Sequence, residues 1–268
     1  MRIILTDEQI AIIEHPLNHH GRVLAVAGSG KTSTMVKRIR YLIEKHSIPP
    51  SSIQVLMFNR LAKNQFEDRI KAEGVPYGDA VHVNTFHSYA YAVYDRLIKS
   101  GVLPHKDFWT GDREEIHKRR VRQAVIEVQR STGDTTLNQE DAETAISLWK
   151  ASMIPPDRAG HRLNPLYVQV YRVYEKLRME AKGATFDDML VDVVQVLSSH
   201  PSLRDSYIPH VSFLIVDEYQ DVNYVQQRLM ELISGGKCDI MVVGDDDQTI
   251  YEWRGARPEY IRKFPEVF

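Results

Sequence analysis

Cysteine is nearly absent from this sequence, because Cys238 is the single one among 268 residues. One thiol cannot form a disulfide within the chain, which is typical of proteins in a reducing compartment. No apolar run approaches the length of a membrane span, and the first ten residues lack the basic-then-apolar pattern of a secretion signal. We therefore expect a cytoplasmic protein with no membrane partner.

The sequence also has no large excess of basic over acidic residues, or of acidic over basic ones. The formal net charge is −2, from 34 basic and 36 acidic residues. Bulk electrostatics therefore do not indicate a polyanion binder, and any such site must be a local patch. No internal repeat and no low-complexity tract is present. With 43% hydrophobic and 26% charged residues, the composition is that of an ordinary globular protein.

Five short apolar, β-branched runs are typical of buried strands in a parallel sheet. They occupy residues 22–28, 53–58, 81–86, 212–218 and 239–245. Helical patterns lie between them, at residues 31–46, 61–73 and 222–233. Strands that alternate with helices in this way predict a doubly wound α/β domain.

The interval from about residue 87 to residue 209 has a different pattern. It contains no convincing strand, and its amphipathic segments predict helices at residues 113–130, 140–151, 165–182 and 186–199. A helical domain downstream of the sheet is ruled out, because two more sheet strands follow. We therefore predict an α/β domain from residues 1–88 and 205–268, with an inserted all-helical subdomain at residues 89–204.

The stretch AVAGSGKT, residues 25–32, follows a predicted strand and opens a predicted helix. Small residues there let backbone N–H groups converge on phosphate oxygens, and the helix N-terminus favours the anion. Lys31 is placed to reach the β- and γ-phosphates, and the Thr32 hydroxyl to hold Mg²⁺. The alternative is a chance glycine turn, which the strand–loop–helix context disfavours. Ala25 stands where the consensus pattern has glycine.

A second anchor for a nucleotide is predicted in FLIVDEYQD. Its apolar strand delivers Asp217 and Glu218 to the carboxyl end, where open α/β sheets bind ligands. Asp217 is placed to hold Mg²⁺, and Glu218 to take a proton from an attacking water. The alternative is that Asp217 and Glu218 are two solvated acids in a loop. The predicted phosphate loop with Lys31 makes this alternative less favoured.

Gln248 follows the last predicted strand and therefore emerges at the same edge of the sheet. Its amide can donate to a γ-phosphate oxygen or orient water, and it does not titrate. The three acids before it lack the Asp-x-Asp-x-Asp-Gly spacing and the closing glutamate of a calcium loop. A surface acid run stays an alternative for Asp246 and Asp247.

Together these residues resemble the UvrD/Rep/PcrA-like branch of superfamily I DNA helicases. The segments that carry the resemblance are, in order, LTDEQ, AVAGSGKT, VLMFNRLAKNQF, NTFHSYA, FDDML, VDEYQD and VGDDDQTIYEWRGA. Val26 replaces a family glycine, and the threonines of the family's TFTNKAA-type segment are changed. The resemblance implies a P-loop NTPase with a RecA-like parallel sheet and an inserted helical subdomain, the first motor domain of a helicase that uses ATP and Mg²⁺.

The resemblance also implies roles for individual residues. Gln9 is expected to read adenine. The expected nucleotide-binding set is Gln9, Ala25, Val26, Ala27, Gly28, Ser29, Gly30, Lys31, Thr32 and Ser33. The expected catalytic set is Lys31, Asp217, Glu218 and Gln248, with Thr32 and Asp217 on Mg²⁺. The expected contacts to single-stranded DNA are Phe58, Thr85, His87, Tyr251, Trp253 and Arg254, of which the three large aromatics stack on bases.

Simpler alternatives stay open for several of these residues. Phe58 can be a core residue, and His87 can cap the helix that follows it. Trp253 and Arg254 can form a packing pair. The basic run HKRR at residues 117–120 is most often a solvated helix face, and a contact to a nucleic-acid backbone is the less favoured interpretation.

The 268 residues do not include the second motor domain that the resemblance implies. That domain supplies an arginine for transition-state charge, so we expect this polypeptide to bind nucleotide weakly, hydrolyse it slowly and not unwind DNA alone. Its expected partners are single-stranded DNA and a second RecA-like motor domain, in cis or in trans, with 3′-to-5′ movement. The alternative is a non-catalytic module that uses nucleotide to gate DNA or protein binding. An unrelated P-loop kinase or GTPase leaves the aromatic–arginine stretch after Gln248 unexplained.

Overall fold

The structure is a computed structural model that describes residues 5–26, 28–160, 164–248 and 255–268. Its strands are β1 Gly21–Leu24, β2 Ile53–Met57, β3 His82–Thr85, β4 Asp107–Phe108, β5 Gly183–Ala184, β6 Phe213–Val216 and β7 Asp239–Gly244. Its helices are α1 Asp7–Ile13, α2 Lys31–His46, α3 Arg60–Ala72, α4 Phe86–Lys99, α5 Glu114–Thr132, α6 Gln139–Ala151, α7 Leu166–Glu180, α8 Phe186–Ser199, α9 Pro201–Tyr207, α10 Tyr224–Ser234 and α11 Glu259–Val267.

A five-stranded parallel sheet forms the centre of the fold, with the strand order β1-β7-β6-β2-β3. Every residue of β2 and β6 is buried, as expected for continuous apolar strands with both faces covered. In register, Val55 of β2 lies between Ile215 of β6 and Val83 of β3. The predicted α/β fold with a parallel sheet is confirmed, and the five predicted runs are its strands.

Helix caps explain where several helices begin. The predicted bounds of α2 and α8 match the structure, and the Thr185 hydroxyl caps α8 by accepting a hydrogen bond from the Asp188 N–H. Helix α3 begins one residue earlier than predicted, because the Asn59 side chain accepts from the Ala62 N–H. Helices α1, α4, α9 and α11 had no counterpart among the predicted segments.

One correction concerns the predicted all-helical insertion. Strands β4 and β5 form a short parallel pair inside it, so the insertion is not purely helical. Gly183 of β5 lies against the Trp109 ring, where a Cβ atom would come within 2.0 Å of the indole. Only glycine lets the β5 backbone approach this ring closely enough to pair with β4. A two-residue strand leaves no periodicity in the sequence, which explains why it was not predicted.

Three hydrophobic cores organise the helices. One face of the sheet packs with α2 and α3, and the other face packs with α4, α8, α10 and α11. Helices α5, α6 and α7 pack around a separate core that includes Trp109 and Tyr174. Helices α4 and α8 thus share a core with the sheet, although they lie within residues 89–204 for most of their length. The predicted domain boundaries stay a prediction.

In the described part of the chain, no helix is both long enough and apolar enough to cross a bilayer.

Candidate nucleotide site and neighbouring cleft

The predicted phosphate loop lies at the carboxyl end of β1. The Ala25 N–H donates to the Gly244 carbonyl at 3.0 Å, which holds the loop beside β7. Gly28 and Gly30 have φ of 79° and 85°, in the left-handed region that favours glycine. Val26, which replaces a family glycine, exposes its side chain. Ala27 lies outside the described residues.

Lys31 is the first residue of α2, and its ammonium faces the carboxyl end of β6. Its Nζ atom lies 3.5 Å from Glu218 Oε1, and the two side chains are 13% and 34% exposed. Thr32 is the next residue and is half-buried. The structure therefore brings together a lysine at a helix N-terminus and the acidic strand end, as the sequence predicts.

Asp217 is a buried acid, at 6% exposure. Its pKa is raised to about 6, mainly by burial and also by the neighbouring Glu218, while Lys31 acts in the opposite direction. Within the described residues, Asp217 Oδ1 is buried and accepts no hydrogen bond. A buried carboxylate oxygen without a donor is suited to a divalent cation, so Asp217 fits the role of a Mg²⁺ ligand.

Gln220 connects the two acidic strand ends, and the sequence analysis did not identify it. Its Nε2 donates to Glu218 Oε2 at 2.8 Å, and its Oε1 accepts from the Asp245 N–H at 3.0 Å. The side chain is 2% exposed. Glu218 itself has a φ of 49°, uncommon for a residue with a side chain. The position of Gln220 in VDEYQD, two residues after Glu218, was the available sequence signal.

Gln248 contacts the first acid of its own strand end. Its Nε2 donates to Asp245 Oδ2 at 2.6 Å, and Asp245 also accepts from the Asp247 N–H at 3.2 Å. Asp245 is buried, whereas Asp247 and Gln248 are exposed. Through Asp245 and Gln220, Gln248 is linked to Glu218. Its role towards a γ-phosphate stays a prediction.

Two further residues of the predicted nucleotide set have specific partners. The Gln9 Nε2 donates to the Ser29 carbonyl of the phosphate loop at 3.1 Å, while its Oε1 accepts from the Thr6 N–H. Gln9 therefore lies against the loop and closes the capping box of α1. The Ser33 hydroxyl donates to the Glu73 carboxylate at 2.8 Å, a contact between α2 and the end of α3.

The residues predicted to bind DNA are only partly described. Tyr251, Trp253 and Arg254 lie outside the described residues. Thr85 caps α4, because its Oγ1 accepts from the Ser88 N–H at 3.1 Å. The alternative role of His87 as the cap of this helix is therefore wrong, since His87 is the second residue of α4.

A cleft of about 710 Å³ opens beside these residues, between the sheet edge and helices α5, α6 and α8. Phe58 and His87 line it, and both are half-buried. The His87 ring contacts the Phe186 ring edge to face, with centroids 5.8 Å apart. Two predicted DNA contacts thus share one cleft, although whether they bind DNA stays a prediction.

The basic run at residues 117–120 does not form one solvated face. His117 lines the cleft, and its Nδ1 lies 2.9 Å from the Tyr174 hydroxyl. Burial lowers the pKa of His117, and the nearby Lys150 lowers it further, so this ring is neutral at neutral pH. Lys118 pairs with Glu114 one turn away on the same helix.

A buried cluster of four charged groups lies behind the cleft. Lys150 Nζ lies 2.6 Å from Asp188 Oδ1 and 3.1 Å from Glu175 Oε1. Arg178 contacts the same two acids, at 3.3 Å and 2.6 Å. Burial acts to raise the pKa of Asp188, but attraction to Lys150 and Arg178 outweighs it and lowers this pKa to about 2. The cluster joins α6, α7 and the first turn of α8.

Comparison with known proteins places this geometry in a family context. The model of the UvrD/REP helicase N-terminal domain matches residues 5–268. DNA helicase II of Escherichia coli (strain K12) is 30% identical to this chain over a match that covers 98% of the chain and 36% of that protein. DNA helicase II of Haemophilus influenzae is 28% identical over 98% of the chain and 37% of its own length.

A third relative, ATP-dependent DNA helicase Rep of Buchnera aphidicola subsp. Acyrthosiphon pisum, is 28% identical over 91% of the chain and 39% of its own length. The chain thus spans little more than a third of the length of these curated relatives.

Proposed function

Because the chain belongs to the UvrD/REP helicase N-terminal domain family, we propose that it is the ATP-binding motor domain of a DNA helicase. In this function it binds ATP with Mg²⁺ and couples hydrolysis to movement along single-stranded DNA. A second RecA-like motor domain, in cis or in trans, completes the enzyme. Movement from 3′ to 5′ is part of the proposal and rests on the family resemblance alone.

One observation carries the proposal: the approach of Lys31, at the start of α2, to Glu218, one residue beyond the buried Asp217. A phosphate chain that enters between the loop and the end of β6 meets a cation, helix N–H groups and a carboxylate. Its terminal phosphate then lies beside the carboxylate that can receive a proton.

Each of these residues has a chemical task in the proposal. Lys31 releases Glu218 and contacts the phosphate oxygens, where its charge balances negative charge that develops in hydrolysis. Glu218 Oε1 then receives the proton of the attacking water, while Gln220 orients the carboxylate through its other oxygen. Asp217 and the Thr32 hydroxyl would hold Mg²⁺, which would supply positive charge beside the phosphates.

Fast ATP hydrolysis requires the second motor domain. A stabilising arginine from a partner domain is worth about a thousandfold or more in rate. We therefore propose that this polypeptide alone hydrolyses ATP slowly and does not separate DNA strands.

Equilibrium binding of an ATP analogue with Mg²⁺ tests the nucleotide site. Lys31→Ala is expected to weaken binding by about tenfold or more, because a charge-assisted contact to phosphate is lost. Lys45→Ala is the matched control, since Lys45 lies on the same helix in its last turn. Equal losses in both variants would contradict a phosphate site at Lys31.

ATP turnover then distinguishes the two function classes that the sequence leaves open, a motor domain and a non-catalytic module gated by nucleotide. Glu218→Gln is expected to keep nucleotide affinity within about twofold and to abolish ATP hydrolysis measured with a second motor domain supplied. If the unsubstituted chain also fails to hydrolyse ATP under those conditions, the result would favour a nucleotide-gated, non-catalytic module instead.

A further inference from the structure

Helix α1 is short, and most of its residues are exposed or half-buried. It has seven residues, of which Ile13 is the single buried one. A helix of this length is not stable in water by itself, so its place on the molecule depends on its contacts with the rest of the chain. Gln9 contacts the phosphate loop, because its Nε2 donates to the Ser29 carbonyl. An arginine of α2 binds the other end of α1.

Arg38 binds the carboxyl end of α1 from inside the protein. Its side chain is fully buried, and its Nη1 donates to the Ile13 carbonyl at 2.8 Å. The last turn of α1 has no basic residue of its own. The Arg38 guanidinium therefore supplies a donor for a terminal carbonyl and the positive charge that the C-terminus of a helix favours.

Two aromatic rings fix the guanidinium of Arg38 in this position. Its Cζ atom lies 5.2 Å from the ring centroid of Phe213, the first residue of β6, and 5.9 Å from that of Tyr41 on α2. A cation over the face of an aromatic ring is attracted to it. Arg38 thus joins the end of α1 to the central sheet.

The burial of this cation indicates that its donor to α1 matters. The Nε and Nη2 atoms of Arg38 are buried, and neither has a hydrogen-bond partner among the described residues. Burying N–H groups without acceptors costs free energy. A methionine would fill much of the same space without this cost, so packing alone does not account for an arginine. The arginine adds the hydrogen bond to the Ile13 carbonyl, which an apolar side chain cannot make.

The Gln9 amide keeps hydrogen-bonding capacity for a ligand. Its Nε2 and its Oε1 each make one hydrogen bond to a described residue. A side-chain amide has two N–H donors and two acceptor lone pairs, so one of each remains. Adenine presents an acceptor at N7 beside a donor at N6, which matches this pair, whereas guanine presents acceptors at both N7 and O6. The remaining groups of Gln9 therefore favour adenine over guanine.

We propose that Arg38 is a positioning residue for base selection: it holds the carboxyl end of α1 and thereby keeps the Gln9 amide in place to bind adenine. The proposal rests on the proposed function, because it requires a nucleotide on the phosphate loop, and on the contact of Gln9 with adenine. Arg38 itself does not touch the nucleotide. It acts on Gln9 through Ile13, four residues or about 6 Å further along α1.

Equilibrium binding of non-hydrolysable ATP and GTP analogues with Mg²⁺ tests the role of Arg38. The two nucleotides share the triphosphate, so the ratio of their affinities reports recognition of the base. The unsubstituted chain is expected to prefer the ATP analogue by about fivefold or more, and Gln9→Ala is expected to remove this preference. Arg38→Met is expected to lower the ratio towards that of Gln9→Ala, while its affinity for the GTP analogue stays within about threefold.

Two control variants distinguish positioning from stability. Arg40→Met is the chemical match, because Arg40 lies on the same helix and donates to Glu44 and to the Glu73 carbonyl. Ile39→Val is the match for stability, because Ile39 is fully buried and loses a methylene group from the core. Both variants are expected to keep the ratio of the unsubstituted chain. A smaller folded fraction lowers both affinities by the same factor and leaves their ratio unchanged.

A double variant tests whether Arg38 acts through Gln9. If it does, the combination of Gln9→Ala with Arg38→Met has the same affinity ratio as Gln9→Ala alone. Circular dichroism checks that Arg38→Met is folded. If it is not, Arg38→Lys is measured in its place, because lysine keeps the charge but lacks the planar fork that stacks on a ring while it donates to a carbonyl. The ratio is expected to fall in Arg38→Lys as well.

The possible failures are distinguishable. If the unsubstituted chain binds neither analogue, the proposed function fails. If that chain binds both equally well, or if Gln9→Ala keeps the preference, the contact of Gln9 with adenine is overturned, and the role of Arg38 with it. If Gln9→Ala removes the preference and the Arg38 variant keeps it, the role of Arg38 alone is overturned. An equal fall of the ratio in Ile39→Val would also overturn it, because the ratio would then follow stability.

Discussion

At the scale of single residues, the buried amide of Gln220 holds the ends of two neighbouring strands. It donates to Glu218, at the end of β6, and accepts from the Asp245 N–H, at the end of β7. Gly244 leaves room for the Gln220 side chain in this position, because a Cβ atom at residue 244 would lie 2.2 Å from Gln220 Oε1 and 2.7 Å from Ile261 Cδ1. The geometry of the acidic site thus depends on the absence of one methyl group.

Gly244→Ala is expected to lower the free energy of unfolding by about 1–3 kcal/mol, because the added methyl overpacks a buried site. Urea denaturation measures this change. Gly160→Ala is the matched control, since a Cβ atom at residue 160 meets no described atom within 4 Å. A Gly244→Ala variant as stable as the unsubstituted chain would contradict the close packing around Gln220.

Asp217 is expected to lower stability at neutral pH when no metal is bound. Burial raises its pKa from 3.8 to about 6, so in this pH range the folded state binds more protons than the unfolded state. The free energy of unfolding therefore falls as pH rises from about 4 to about 6. Asp217→Asn removes this dependence and is expected to be more stable at pH 8 by up to about 3 kcal/mol.

Denaturation in a chelating buffer at several pH values checks this expectation. The advantage of Asp217→Asn is expected to vanish near pH 3, where Asp217 is protonated in both states. Asp247→Asn, an exposed acid at the end of β7, is the control. A stability advantage that is the same at pH 3 and pH 8 would show that titration of Asp217 is not its cause.

The sequence predicted the convergence of Lys31, Asp217 and Glu218, because the carboxyl ends of parallel strands meet at one sheet edge. It did not predict Gln220 as their connector, nor the contact of Gln9 with the Ser29 carbonyl. Such contacts depend on side-chain rotamers and on loop paths, which leave no periodic pattern in a sequence.

At the scale of elements, the buried charge cluster fixes α8 against α6 and α7. Lys150, Glu175, Arg178 and Asp188 are each less than 15% exposed as side chains. Asp188 also caps its own helix, through a hydrogen bond from the Thr185 N–H at 2.8 Å. The first turn of α8, which carries Phe186, is therefore held by ion pairs and by a cap.

Lys150→Met is expected to lower the free energy of unfolding by about 3–5 kcal/mol, because it leaves buried acids without one of their cations. The attraction to Lys150 helps to keep the pKa of Asp188 near 2, so this stabilisation is present above about pH 4 and is lost as pH falls towards 2. The acid-induced loss of stability is therefore expected to be shallower in Lys150→Met.

Urea denaturation at neutral and acid pH measures both effects. Lys118→Met is the matched control, since Lys118 pairs with Glu114 on the surface of α5 and is expected to change stability little. Equal stability of the two variants would contradict a structural role for the buried cluster.

Element boundaries were predicted best where local chemistry defines them. The bounds of α2 and α8 follow from a glycine-rich loop and from a capping threonine. Helix α4 was not assigned, because its first residues continue a strand and belong to a segment interpreted as a DNA contact. The pair β4–β5 was beyond prediction, since tertiary contact with Trp109 determines it.

At the scale of the whole molecule, two candidate sites lie along the carboxyl edge of one sheet. The nucleotide residues follow β1, β6 and β7, while the cleft residues Phe58 and His87 follow β2 and β3. The sequence predicted a parallel sheet but not the strand order, which places β6 between the two halves of this edge. Asp221, four residues after Asp217, lines the cleft. A conformational change at the end of β6 can therefore affect both the nucleotide site and the cleft.

The most direct test of this account measures the affinity of the chain for a non-hydrolysable ATP analogue with and without saturating single-stranded DNA. If the two sites are coupled through the end of β6, DNA is expected to change this affinity by at least about fivefold, and the analogue changes DNA affinity by the same factor. Equal nucleotide affinities with and without bound DNA would contradict the account, because the two sites would then be independent.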